Sequence, residues 1–142
     1  MDVEASHVRE WMLAHDASSL AVEESKSFER YLEALPWAPS HVDWRELPSV
    51  EFELLDDWEE MILDFSQGCP LGRHEYVMVM YDGSQPSILC GTGAGLRDLD
   101  LLYSAAPGAR YFCGVDLIDG RAIPRYEDFA EFDGFSKVTF RV

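Results

Sequence analysis

Apolar positions in the first half of the chain recur at helical spacing. Within residues 3–14, Val8, Trp11 and Met12 fall on one face, with Arg9 and Glu10 elsewhere. Within residues 20–35, Phe28, Tyr31, Leu32 and Leu35 stand at i, i+3, i+4 and i+7, the spacing of a buried helical stripe. Ser18 or Ser19 is placed to cap that helix, and Pro36 to end it. Trp37-Ala38-Pro39-Ser40 reads as a turn. Residues 41–50 read as loop or short strand, and Val50, Phe52 and Leu54 alternate. A third helix is predicted over residues 52–67, where Leu54, Trp58, Met61 and Phe65 make an apolar face with Leu55 and Ile62 beside it. Gly68 caps its end, and Cys69-Pro70-Leu71-Gly72 breaks the chain after it.

The period changes after residue 72. Residues 75–81 are apolar on both faces, which predicts a central strand. Asp82-Gly83 signals a turn into a second strand at 87–91, giving a hairpin. Residues 95–106 read as a helix through Leu96, Leu99 and Leu102, stopped by Pro107-Gly108. Residues 110–118 form a third strand, and Asp119-Gly120 turns the chain. Residues 122–135 read mostly as loop, with room for a helical turn through Tyr126, Phe129 and Phe132. Residues 137–142 alternate Val138, Phe140 and Val142 with Lys137, Thr139 and Arg141, as a half-buried strand does. The predicted class is α+β: N-terminal helices, then a mainly antiparallel four-stranded sheet with helices packed on one face. One domain is expected over 1–142, with a helical half at 1–72 and a strand-rich half at 73–142.

Composition adds a strong bias of charge. The 142 residues are 47% hydrophobic, enough to build a core, yet carry a net charge of −16. Residues 1–72 hold 17 acids against four bases (Arg9, Lys26, Arg30, Arg45), a net −13; residues 73–142 hold 10 against seven, a net −3. This balance disfavours direct contact with nucleic-acid phosphates and anionic membranes. No apolar run is long enough to span a bilayer, and residues 1–10 lack the basic start and apolar middle of a signal peptide. The expected compartment is the cytoplasm. Cys69, Cys90 and Cys113, odd in number and far apart, read as reduced thiols. His7, His15, His41 and His74 are scattered, so no metal site and no cofactor is expected.

Between Arg45 and Arg73 there is no basic residue, while Glu46, Glu51, Glu53, Asp56, Asp57, Glu59, Glu60 and Asp64 fall there. On a helix over 52–67, Glu53, Asp57, Glu60 and Asp64 share one face, extended by Asp56 and Glu59. Six acidic pairs would then lie at i+3 or i+4, costing about 1–3 kcal/mol in total at low salt. A face kept merely for solubility does not require that cost. A surface built to meet a cationic partner does. Trp37 and Trp44, in turn-like sequence, are candidate apolar anchors for it, while Trp58 lies on the apolar stripe and reads as core.

Other motifs are weaker. Gly91-Thr92-Gly93-Ala94-Gly95 follows a strand and opens a helix, but Leu96 stands where a dinucleotide fingerprint needs glycine, and no Lys-Ser/Thr follows. A tight strand-to-helix connection is expected there. No GxSxG elbow is present, and 27 carboxylates make any one pair uninformative, so no enzymatic activity is expected.

Two resemblances bear on function. From Tyr76 to Asp119 the chain resembles the actin-depolymerising-factor homology domain in its drebrin and coactosin branch: strand, turn, strand, the glycine loop at 91–95, helix, strand. That resemblance implies an actin-binding module, although the helix after Gly95 carries one Arg and two Asp where the family carries bases. In size, charge and aromatic content the whole chain is similar to the immunity proteins of bacterial polymorphic toxin systems, including contact-dependent inhibition. This likeness implies a cytoplasmic protein that binds a toxin domain, often a basic nuclease, and blocks it. Partner-binding residues are then Glu53, Asp56, Asp57, Glu59, Glu60, Asp64, Trp37 and Trp44. A nucleic-acid mimic that sequesters a DNA-binding protein is the alternative that the same acids allow.

Overall fold

The computed structural model describes residues 6–39, 41–103 and 110–142. The chain runs α1 (Ser6–Ala14), β1 (Ser18–Ser19), α2 (Val22–Glu33), a 3-10 turn at Trp44–Glu46, β2 (Ser49–Glu53) and α3 (Trp58–Ser66). After a second 3-10 turn at Leu71–Arg73 come β3 (Tyr76–Met80), β4 (Ile88–Gly91), α4 (Thr92–Arg97), α5 (Leu99–Tyr103), β5 (Arg110–Ile118), β6 (Arg121–Phe132) and β7 (Lys137–Arg141). The strands form one sheet in the order β1-β4-β3-β5-β6-β7-β2, every pair antiparallel. The α+β class and the antiparallel sheet agree with the sequence reading. The sheet has seven strands, not four, because β1, β2 and β6 add to those expected.

Both halves of the chain feed this sheet. β1 pairs with β4, and β2 pairs with β7, so the first half is not purely helical, and α4 and α5 lie in the second. Side chains alternate across the sheet as a period of two requires. Val77 and Val79 of β3 face one side with Phe112, Phe132, Val138 and Phe140, under Val8, Trp11, Trp58, Ile62 and Leu99 from the helices. Met78 and Met80 face the other with Cys113, Val115 and Phe129, under Phe28 and Leu32 of α2. Helices therefore cover both faces, not one. A central strand apolar on both sides requires cover on both.

Local departures have local causes. Ser18 and Ser19 pair with Leu89 and Ile88, so they cannot cap α2; Ala21 takes that position without a side-chain bond. The expected helix over 52–67 is split. Its first residues join β2, where Phe52 faces Val138 and Glu53 faces Lys137. Asp57, left-handed at φ 61°, then turns the chain, and α3 starts at Trp58. Where it is described, the expected helix over 95–106 is two short ones that meet at Asp98; residues 104–106 and the Pro107-Gly108 stop lie outside the described residues, as do Ser40 and residues 3–5 of the expected first helix. Residues 122–135, read as loop, are mostly β6. Its pairing with β5 slips between Cys113 and Gly114, whose partners are Phe129 and Arg125. The three residues between those partners bulge out, which erases a clean alternation in the sequence. Among the described residues no helix is long and apolar enough to cross a membrane.

Candidate functional site

The acids of residues 53–64 sit where β2 leaves the sheet. Leu54 N–H donates to Ser136 O, the last ladder bond, and Trp58 N–H donates to Leu55 O to close the turn. That geometry pushes Leu55 outward, 65% exposed, and Met61 of α3 is 48% exposed beside it. Together with Asp56, Asp57, Glu59 and the buried Trp58 they line an open cleft of about 720 Å³. Glu60 and Asp64 are exposed on the outer side of α3. None of Asp56, Asp57, Glu59, Glu60 and Asp64 makes an ion pair with a described residue. The acidic surface continues onto α5. Partial burial, and then the nearby charge of Glu59, push the carboxyl of Asp100 above its usual range.

The shared helical face expected for Glu53, Asp57, Glu60 and Asp64 does not form as such. Glu53 lies on β2 and lines a neighbouring cleft with Glu51 and Lys137. Within α3 only Glu60 and Asp64 keep a like-charge i, i+4 spacing, which lowers the repulsion to about 0.2–0.5 kcal/mol. Glu59 and Glu60 stand in the first turn, where the helix dipole favours them. The strain inferred from the sequence is therefore mostly relieved, and exposure with unpaired charge remains.

Trp37 and Trp44 lie across the sheet from α3. Trp37 is 42% exposed; its indole N–H donates to Leu32 O at 2.7 Å and its ring meets Tyr111 edge-on. Trp44 is half-buried, stacks on Phe129 at 5.1 Å, and donates its indole N–H to Glu131 Oε1 at 3.2 Å. Both serve the α2-side packing, and the fold does not bring them to the acids of α3.

No family model, curated protein or solved structure matches this chain. The site is therefore read from its own geometry.

Two clusters escaped the sequence reading. His74 lies between two aspartates: one ring nitrogen bonds Asp116 Oδ1 at 2.8 Å and the other Asp128 Oδ2 at 2.7 Å. Arg125 Nε–H donates to Asp116 Oδ2 at 2.7 Å. Burial works against a charge on His74, but the hydrogen bonds to Asp128 and Asp116 outweigh it and raise its pKa above the ordinary value. Arg125 and then His74 hold Asp116 below its usual range. With both nitrogens occupied, His74 has no lone pair to offer as a base. The second cluster is Glu131, which accepts from Trp44 and from the Tyr111 hydroxyl. The Asp119-Gly120 turn could have placed Arg125 diagonally from Asp116. Nothing local points to His74, Asp128 or Glu131.

The glycine loop packs as a tight connection. A Cβ on Gly95 would lie 3.0 Å from Cys90 Sγ and 3.2 Å from Val77. All three cysteines are free and buried; burial pushes the Cys90 thiol up to about 12 and raises Cys69 and Cys113 too. Thiols with raised pKa values are poor nucleophiles at neutral pH.

Proposed function

We propose that this protein acts by binding rather than catalysis, and that its partner is a cationic protein domain. The observation that carries this reading is the cleft at the β2–α3 junction. It exposes Leu55 and Met61 among Asp56, Asp57 and Glu59, with Glu60 and Asp64 beyond them and no pairing base among the described residues. An apolar centre with a one-sign rim suits a partner surface with lysines and arginines around an apolar contact. In its fuller form, the protein is a cytoplasmic immunity protein that neutralises a basic, nuclease-type toxin by occupying its phosphate-attracting surface. The likeness in size, charge and aromatic content supports that form. Trp37 and Trp44 belong to a separate surface and would anchor only a partner that reaches around the sheet.

The test is capture from the source cell or with the product of a neighbouring secreted-toxin gene. Wild type is compared with the double variant Glu60→Lys/Asp64→Lys. In that pair, the helix dipole favours the base gained near the C-terminal end of α3, which offsets the cost of a base in its first turn. The expected capture is of a basic protein, with association that slows as salt rises and slows further in the variant. Equal capture by both proteins at every salt concentration sinks the surface assignment. A DNA-binding protein as the captured partner selects the nucleic-acid-mimic alternative.

A further inference from the structure

On the α2 side, the 3-10 turn that carries Trp44, with Ala38 and His41 before it, lies over β6 and β7. Beneath it lies a cleft of about 410 Å³, with Glu131 on its wall. Glu131 is 6% exposed, and carboxylates are almost never that buried without a cation. The other charges of the cleft are already matched. Arg45 Nε–H donates to Asp43 at 2.9 Å, and Lys137 Nζ lies 3.4 Å from Glu51. Asp133 spends its carboxylate on the backbone N–H groups of Phe135, Ser136 and Lys137. Among the described residues, Glu131 receives only neutral donors, the Trp44 indole N–H and the Tyr111 hydroxyl.

Both groups donate to the Glu131 carboxyl oxygens. Burial first, and then Glu131 itself, push the Tyr111 hydroxyl well above its usual range, so the phenol keeps its proton. A carboxylate offers about four lone-pair directions, and two are used here. The result is a buried carboxyl group with spare acceptor capacity, facing a cleft whose own cations are engaged.

We infer that the cleft before Glu131 is a receptor for a single alkyl-guanidinium or alkyl-ammonium group, entering beside Trp44 to pair with the Glu131 carboxylate. The site is independent of the acidic cleft at α3, which lies across the sheet. Its guest is either a small organic cation or a lysine or arginine side chain of a protein, since the charged group is the same.

The test titrates the intact protein with n-butylguanidinium, with n-butylammonium, and with a blocked Ala-Arg-Ala peptide, following the Trp44 indole resonance by NMR. A saturable shift with any of the three supports the site. A shift with the peptide alone assigns a protein side chain, and equal binding of the small cations assigns a small guest. Glu131→Gln keeps the shape and removes the charge, and is expected to weaken binding by about tenfold or more. Thr139→Lys supplies a resident cation from the residue directly opposite Glu131 and is expected to abolish guest binding in a folded protein. Three results overturn the inference: no saturable shift with any probe, undiminished binding in folded Glu131→Gln, or a Glu131 carboxyl carbon that reports a protonated acid at neutral pH.

Discussion

His74 gives both ring nitrogens to aspartates, and Gly114 makes room for it. A Cβ on Gly114 would sit 2.1 Å from the imidazole Cδ2, so the ring lies flat over β5 at the point where the pairing slips. Gly114→Ala is expected to cost about 1–3 kcal/mol, read as a lower midpoint in urea. The clasp also has a defined pH window. A group whose pKa is raised by folding adds stability that is whole below its unfolded value and fades as pH rises through the folded one. His74 is such a group, starting from 6.5. Asp116 is lowered from 3.8, so its share fades as pH falls through its folded value. The difference in Tm between wild type and His74→Gln is therefore expected to be largest between those two ordinary values. It should shrink as pH rises through the raised folded value of His74. Because Asp116 is partly solvated, its share is small. None of this was visible along the chain, where 42 residues separate His74 from Asp116 and 54 separate it from Asp128. Three-dimensional pairing alone joins them.

At the scale of elements, the sequence carried the apolar periods well and the boundaries less well. Phe28 and Leu32 mark α2 as their spacing implied, whereas α3 buries Trp58 and Ile62 and leaves Met61, on the expected stripe, 48% exposed. Over residues 50–54 two periods competed: Val50, Phe52 and Leu54 alternate, while Leu54 also continues the helical series to Trp58. The partner strand decided it, since β7 offers Val138 to Phe52 and Lys137 to Glu53. Residues 126–128 hid β6 because a bulge shifts the phase, leaving Tyr126 and Phe129, three residues apart, in the same core. The acids of 53–64 were found from sequence as a group, but their common face was not, since it presumed an unbroken helix. The displaced cap of α2 makes a prediction of its own. Ala21 has the extended backbone of an N-cap, φ −62° and ψ 149°, but no side chain to accept from the first turn. Ala21→Ser or Ala21→Asp is expected to raise unfolding free energy by about 0.5–2 kcal/mol in a urea titration.

Over the whole molecule, a net charge of −16 opposes compaction and repels other copies. Moderate salt screens that repulsion, so Tm is expected to rise as NaCl is added from very low ionic strength to about 0.15 M, measured by calorimetry. A flat or falling Tm contradicts this. The charge is also placed where the sheet ends. On one side β1 is only two residues long. On the other, β2 bonds β7 along one margin and carries exposed Glu51 and Glu53 on its five residues. Two copies approaching margin to margin would set glutamate against glutamate, so this strand guards against runaway self-pairing.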